Sequence, residues 1–171
     1  SAFFKENISG PLGLDFHIGL SDADFARTAK MIPFTPDPAL PPSDFLIALM
    51  TDRDSASHLS LMNSGSHYFD GPEAWRAEIG GGGGISNARA MAKMMNALLG
   101  ENTLISKERI DDLRKLAAQT DRDQTLLCPT RFGQGVMLKM DNPDHLDGTD
   151  SFIISDGAFG HVGMGGSTLI A

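Results

Sequence analysis

The spacing of apolar residues changes twice along the chain. In residues 11–20, Leu12, Leu14, Phe16 and Ile18 alternate with small or polar residues, which predicts a short strand or extended segment between glycines. Residues 21–30 predict a short helix, with Ser21 as its cap and acids in its first turn. Residues 33–42 then carry Pro33, Pro36, Pro38, Pro41 and Pro42, which exclude helix and central strand and predict a loop. A cap at Ser43 followed by Phe45, Leu46 and Leu49 predicts a second short helix. The pattern weakens over 55–70, where turns are expected at 63–66 and 70–72, and residues 73–78 predict one or two helical turns. After five consecutive glycines, Gly80 to Gly84, the period becomes helical. Ala88, Met91, Ala92, Met95 and Leu98 share one face, with Ser86 as the expected cap and Gly100 as the stop. Ser106 predicts the cap of a further helix with Ile110, Leu113 and Leu116 as its stripe, and the short connection predicts an antiparallel pair. The last third reverts to strand-like patterning. Residues 132–140 read as a strand, 141–150 as a turn-rich loop and 152–154 as a short strand, and residues 166–171 read as the beginning of another. No internal repeat is found. Helices and loops first and strands later predict an α+β fold.

Charge narrows the partners. Lys plus Arg number 14 against 22 Asp plus Glu, a net charge of −8. Such a chain repels phosphate backbones unless it holds a local basic patch, and no window does, so nucleic acid is not an expected partner. No apolar run approaches the roughly 20 residues of a membrane span. The one cysteine, Cys128, excludes an internal disulfide framework and a cysteine-based zinc cluster, without fixing the compartment. No cofactor or metal is expected.

The candidate chemistry is sparse. The glycine run at 80–84 is followed by Ile85-Ser86-Asn87, so it lacks the lysine of a phosphate loop and reads as a close-packed turn. His17 sits in an alternating segment and reads as structural; His58, His67 and His145 lie in polar, turn-rich stretches and read as surface residues. Gly-x-Ser-x-Gly and Ser-x-x-Lys are both absent, Tyr68 is the only tyrosine, and Trp75 reads as a packing residue. The unusual segment is Phe159-Gly-His-Val-Gly-Met-Gly-Gly-Ser167. Glycines on both sides of His161 allow close approach of a ligand to backbone, and they equally suit a glycine-kinked structural strand.

Four blocks in order resemble the serine β-lactamase-related family, which holds class C β-lactamases, DD-peptidases and esterases of similar fold. Pro11-Leu-Gly-Leu14 resembles its "Pro-Leu-Gly-Met" block. The segment from Glu78 through the glycines to Ser86-Asn-Ala-Arg89 and its helix resembles its "glycine pair, Ser/Thr, Ala-Arg, then helix" block. Leu104-Ile-Ser106 resembles the lead-in to its next helix, and residues 159–167 resemble its third catalytic motif, where Lys-Thr-Gly is often His-Thr-Gly. The resemblance implies an α+β, partial β-lactamase/transpeptidase-like fold: an antiparallel sheet flanked by helices, plus a helical region, incomplete at both ends. It implies that 1–171 form part of a single domain, with 1–130 mostly helix and loop and 131–171 in the sheet region. The first motif, Ser-x-x-Lys, and the second, usually Tyr-x-Asn, normally precede the Pro-Leu-Gly block and do not occur in the chain; Tyr68 follows that block and lacks the Asn. The implied function is therefore that of a piece of a serine hydrolase acting on an ester, amide or β-lactam, inactive alone, with a non-catalytic binding or assembly module as the alternative. Its implied partners are a small acyl substrate and the remainder of the domain or another copy of the chain. The third motif is implied to lie on an edge strand. There His161 would position the substrate and tune the site's electrostatics, Gly163 would let substrate lie flat against the strand, and Met164 would offer its backbone N–H to the oxyanion hole. Histidine in place of lysine removes a permanent charge and leans toward ester or amide substrates.

Overall fold

The computed structural model describes residues 1–33, 35, 37–63, 70–99, 104–140, 155–163 and 165–171. In chain order the elements are α1 (Ala2–Phe4) running into a wider helical turn (Lys5–Ser9), β1 (Phe16–Ile18), a 3-10 helix (Asp22–Arg27), α2 (Asp44–Thr51), α3 (Ala56–Met62) and α4 (Pro72–Arg76). There follow β2 (Gly84–Ser86), α5 (Ala88–Asn96), α6 (Lys107–Leu113), β3 (Ala118–Thr120), β4 (Thr130–Phe132), β5 (Met137–Leu138), β6 (Phe159–Val162) and β7 (Thr168–Ile170). The predicted strand, loop or helix at residues 64–69, 100–103 and 141–154 lies outside the described residues.

The chain divides into two compact units, Ser1–Pro33 with His67–Leu104, and Phe34–Ser66 with Ile105–Ala171. In the first, β1 and β2 form an antiparallel ladder with Phe16 opposite Ser86 and Ile18 opposite Gly84. Leu14, Leu20, Ala90 and Met95 are its buried apolar residues. The cap of α5 is Asn87, whose side chain accepts from the Ala90 N–H at 3.0 Å. Ser86 instead ends β2 and donates to the Asp15 carbonyl at 2.9 Å, so the cap falls one residue later than expected. Ser21 caps no backbone either; its hydroxyl donates to the Asp24 carboxylate at 2.7 Å. Only the end of the glycine run packs closely: a Cβ on Gly83 would stand 2.9 Å from the Ile79 carbonyl oxygen and one on Gly84 2.9 Å from the Phe16 ring, whereas one on Gly80 or Gly81 would meet nothing within 4 Å.

In the second unit β3, β4, β5, β6 and β7 form one antiparallel sheet in chain order. Phe159, Leu138, Ile110 and Leu49 are its buried apolar residues. The expected strand over 132–140 is two strands. Gly133 has no room for a side chain, since a Cβ would meet the Leu113 carbonyl oxygen at 2.1 Å, and Gly135 adopts φ 83°, so the chain turns between them. Helices α2, α3 and α6 start at Ser43, Ser55 and Ser106, each accepting a backbone N–H in its first turn.

Candidate functional site

The third-motif segment is built on β6. Phe159 anchors it at 1% exposure, and its N–H and C=O both bond to Ala171 at 2.9 Å. Met137 and Leu138 face Gly160 and Phe159 on one side; Ile170, Leu169 and Thr168 face Gly160, His161 and Val162 on the other. The strand is thus interior to the sheet, not the edge strand that the resemblance implies. The ladder with β5 stops at Gly160, however, so His161 and Val162 run on with only the β7 side registered. Among the described residues, the end of β6 that carries His161 is therefore paired on one side only, because β5 has two residues.

The glycines of this segment do different work. Phe132, Met137, Gly160 and Ile170 stand in one cross-strand row. A Cβ on Gly160 would meet the Leu169 carbonyl oxygen at 2.1 Å, so packing within the sheet demands this glycine. Gly166 adopts φ 87°, which closes the turn through Gly163 N–H to Ser167 O at 2.7 Å and Gly166 N–H to Gly163 O at 2.9 Å. Gly163 is neither crowded nor left-handed; a Cβ there would make ordinary contact with Ser167 at 3.6 Å. Nothing in the fold itself requires glycine at 163. Met164 lies outside the described residues.

His161 is exposed, and its Nδ1 lies 2.7 Å from the Val162 carbonyl oxygen. A carbonyl only accepts, so the proton sits on Nδ1, and in the neutral ring Nε2 is left as an acceptor. The Phe132 ring lies 6.3 Å away, tilted by 44°. The imidazole is therefore fixed at one nitrogen and available at the other.

The other histidines separate. His58 is half-buried, with Nδ1 2.7 Å from the Leu49 carbonyl oxygen, so it ties α3 to α2 and is not the surface residue expected. His67, His145 and Tyr68 lie outside the described residues. His17 belongs to a cluster that sequence reasoning missed, because its members are far apart in the chain. Arg27 holds Asp15 with two nitrogens at 2.8 and 2.7 Å and Asp24 at 3.0 Å. His17 Nε2 stands 3.0 Å from Asp15, and Asn87 donates to Asp15 at 3.4 Å. The Arg27 hydrogen bonds, and after them that of His17, hold the Asp15 carboxyl far below the usual carboxylate range. The cluster braces β1 against the 3-10 helix and the start of α5. Trp75 packs edge-on to Phe25 at 5.3 Å, as expected of a packing residue. Among the described residues no group of three His, Cys, Asp or Glu side chains could hold a metal. None of their helices is long and apolar enough to cross a membrane.

This arrangement of antiparallel sheet and short helices is shared with two solved structures. A penicillin-binding protein homologue from Caulobacter crescentus superposes with a TM-score of 0.73 at 27% identity, over 99% of this chain and 42% of its own. The esterase EstA from Arthrobacter nitroguajacolicus Rue61a superposes with a TM-score of 0.69 over 94% of this chain and 41% of its own; at 20% identity it shows the fold alone. The Beta-lactamase family model matches residues 1–171, and the chain belongs to that family. It spans about two-fifths of the length of either solved structure. No curated protein matches it.

Proposed function

We propose that this chain supplies the third-motif strand of an acyl-serine hydrolase acting on an ester, amide or β-lactam. The observation that carries the reading is the half-open end of β6, where His161 is exposed and Gly163 leaves a slot that the fold does not require. In this reading a substrate lies along residues 161–163. His161, fixed through Nδ1, presents Nε2 to a donor on the substrate and orients it. The backbone N–H of Met164 donates to the oxyanion that develops on the acyl carbonyl, an interaction worth about 3 kcal/mol in a water-excluded site. The serine that attacks the carbonyl, and the lysine and tyrosine that move its proton, belong to Ser-x-x-Lys and Tyr-x-Asn motifs that residues 1–171 do not contain. They would come from polypeptide outside this stretch. The alcohol or amine takes the serine's proton and departs, or in a β-lactam the ring nitrogen takes it and stays tethered, and water hydrolyses the acyl-serine that remains.

Labelling with a fluorophosphonate and a penicillin-type probe tests this. The full gene product is expected to be labelled on a serine outside residues 1–171, and the 171-residue chain is expected to stay unlabelled. A full gene product that neither probe labels would favour a non-catalytic binding or assembly module.

A further inference from the structure

We propose that the second unit holds a binding site for a small oxyanion, a carboxylate or a phosphate, distinct from the His161 strand. A cavity of about 270 Å³ lies between α6 and the sheet, and its walls include Arg114, Lys115, Arg131, Leu138, Asp111 and Asp156. Among the described residues its walls carry three cations, Arg114, Lys115 and Arg131, against two carboxylates, Asp111 and Asp156. In a chain of net charge −8, these described wall residues are positive by one.

The pairing shows which cations are committed. Lys115 is held by Asp112 at 2.6 Å and Lys139 by Asp156 at 2.8 Å. Arg114 and Arg131 face no carboxylate within ion-pair distance among the described residues. Arg131 is half-buried and spends one nitrogen on the Lys139 carbonyl at 2.9 Å, which fixes its plane and leaves the rest of its fork uncommitted. Arg114 is exposed and reaches over Gly157, where a Cβ would stand 3.3 Å from its Nη2. The buried Leu138, at 5% exposure, supplies an apolar floor that strengthens a charge-assisted hydrogen bond. Two planar guanidiniums on one wall, one of them oriented by a carbonyl and neither paired with a carboxylate among the described residues, suit a planar carboxylate or a phosphate with two oxygens to share. Asp111 opposes them and limits the site to a small ion.

Calorimetric titration of the 171-residue chain at constant ionic strength, with inorganic phosphate in one arm and acetate in the other, tests the proposal. Saturable binding is expected from one or both ions, and the arm that binds more tightly separates phosphate from carboxylate. Arg114→Met, which removes no ion pair, is expected to weaken that binding at least about tenfold. Gly157→Ala keeps the charge but crowds Arg114, and is expected to weaken it less. Asp111→Asn is expected to strengthen it. Absence of saturable heat from both ions at millimolar concentration overturns the proposal, as does affinity unchanged in Arg114→Met or in Asp111→Asn.

Discussion

Two glycine-rich segments, 80–84 and 157–166, look alike in composition and differ in what their glycines touch. In the first, Gly83 presses on Ile79 and Gly84 on the Phe16 ring, so the end of the run is filled by the protein's own atoms, while Gly80 and Gly81 meet nothing within 4 Å. In the second, Gly160 is filled by the Leu169 backbone and Gly166 is required by its left-handed φ, while Gly163 is required by neither. A run of glycines is therefore no sign of a site. Packing and left-handed backbone account for Gly83, Gly84, Gly160 and Gly166 and leave Gly80, Gly81, Gly163 and Gly165 unexplained. Of these, Gly163 alone directly follows β6 with its exposed His161, so its place at the end of the strand and not the missing side chain makes it the candidate.

Filling the packed slots should separate the two segments most strongly. Gly160→Ala sets a Cβ 2.1 Å from a carbonyl oxygen in the middle of a sheet, where backbone cannot yield without parting β6 from β7. The expected loss is about 3 kcal/mol, read as a fall in the urea midpoint. Gly84→Ala meets a ring edge at 2.9 Å, and a ring can rotate, so the same measurement is expected to show about 1 kcal/mol. Equal losses from the two variants would show that the kind of atom in the slot does not matter.

Acid tests the first segment next. The first segment is buttressed by the Asp15 cluster, because Ser86 and Asn87, just beyond the glycines, both bond to Asp15. The folded state holds the carboxyls of Asp15 and Asp24 below their ordinary range: Asp15 through Arg27 and then His17, Asp24 through Ser21 and then Arg27. A depressed carboxyl contributes stability that is full above the unfolded value and fades as pH falls toward the folded one. Amide exchange of residues 16–18 and 84–86 is therefore expected to quicken as pH drops below about 4, after correction for its intrinsic rate. In Asp15→Asn that extra pH dependence should be much reduced, and its full persistence would assign the effect to other carboxylates.

How much of this was legible in the sequence follows from the range of each interaction. Helix caps were readable because a serine and the N–H it accepts are three residues apart, as at Ser43 and Ser106. The one-residue miss at Ser86 came from a distant competitor, the Asp15 carbonyl, which took the hydroxyl. Strand β3 is Ala-Gln-Thr, fully exposed, and carries no apolar alternation to read. Strands β4 and β5 read as one because the hairpin between them is set by Gly133 against Leu113, twenty residues away. For the candidate site, the motif offers His161 and Gly163 as candidates, but it does not distinguish Gly160 from Gly163. That distinction needs the neighbouring strand.

The smallest expected effect on stability is the most decisive. Gly163→Ala adds one methyl group at 3.6 Å from Ser167, an ordinary contact, and needs no left-handed backbone. Its urea midpoint should lie within about 0.5 kcal/mol of the parent. If the slot beside His161 receives substrate, the same methyl displaces the acyl group from the strand. Hydrolysis by the full gene product should then fall at least about tenfold in kcat/KM, since small displacements at a reacting centre carry penalties of that order. The two readouts separate the meanings of the glycine. A lost fold would place Gly163 with Gly160 among the packing glycines. Unchanged fold and unchanged activity would leave the slot empty of function. Only an intact fold with failed chemistry makes it a substrate-facing surface, and that combination is one that neither Gly84→Ala nor Gly160→Ala can produce.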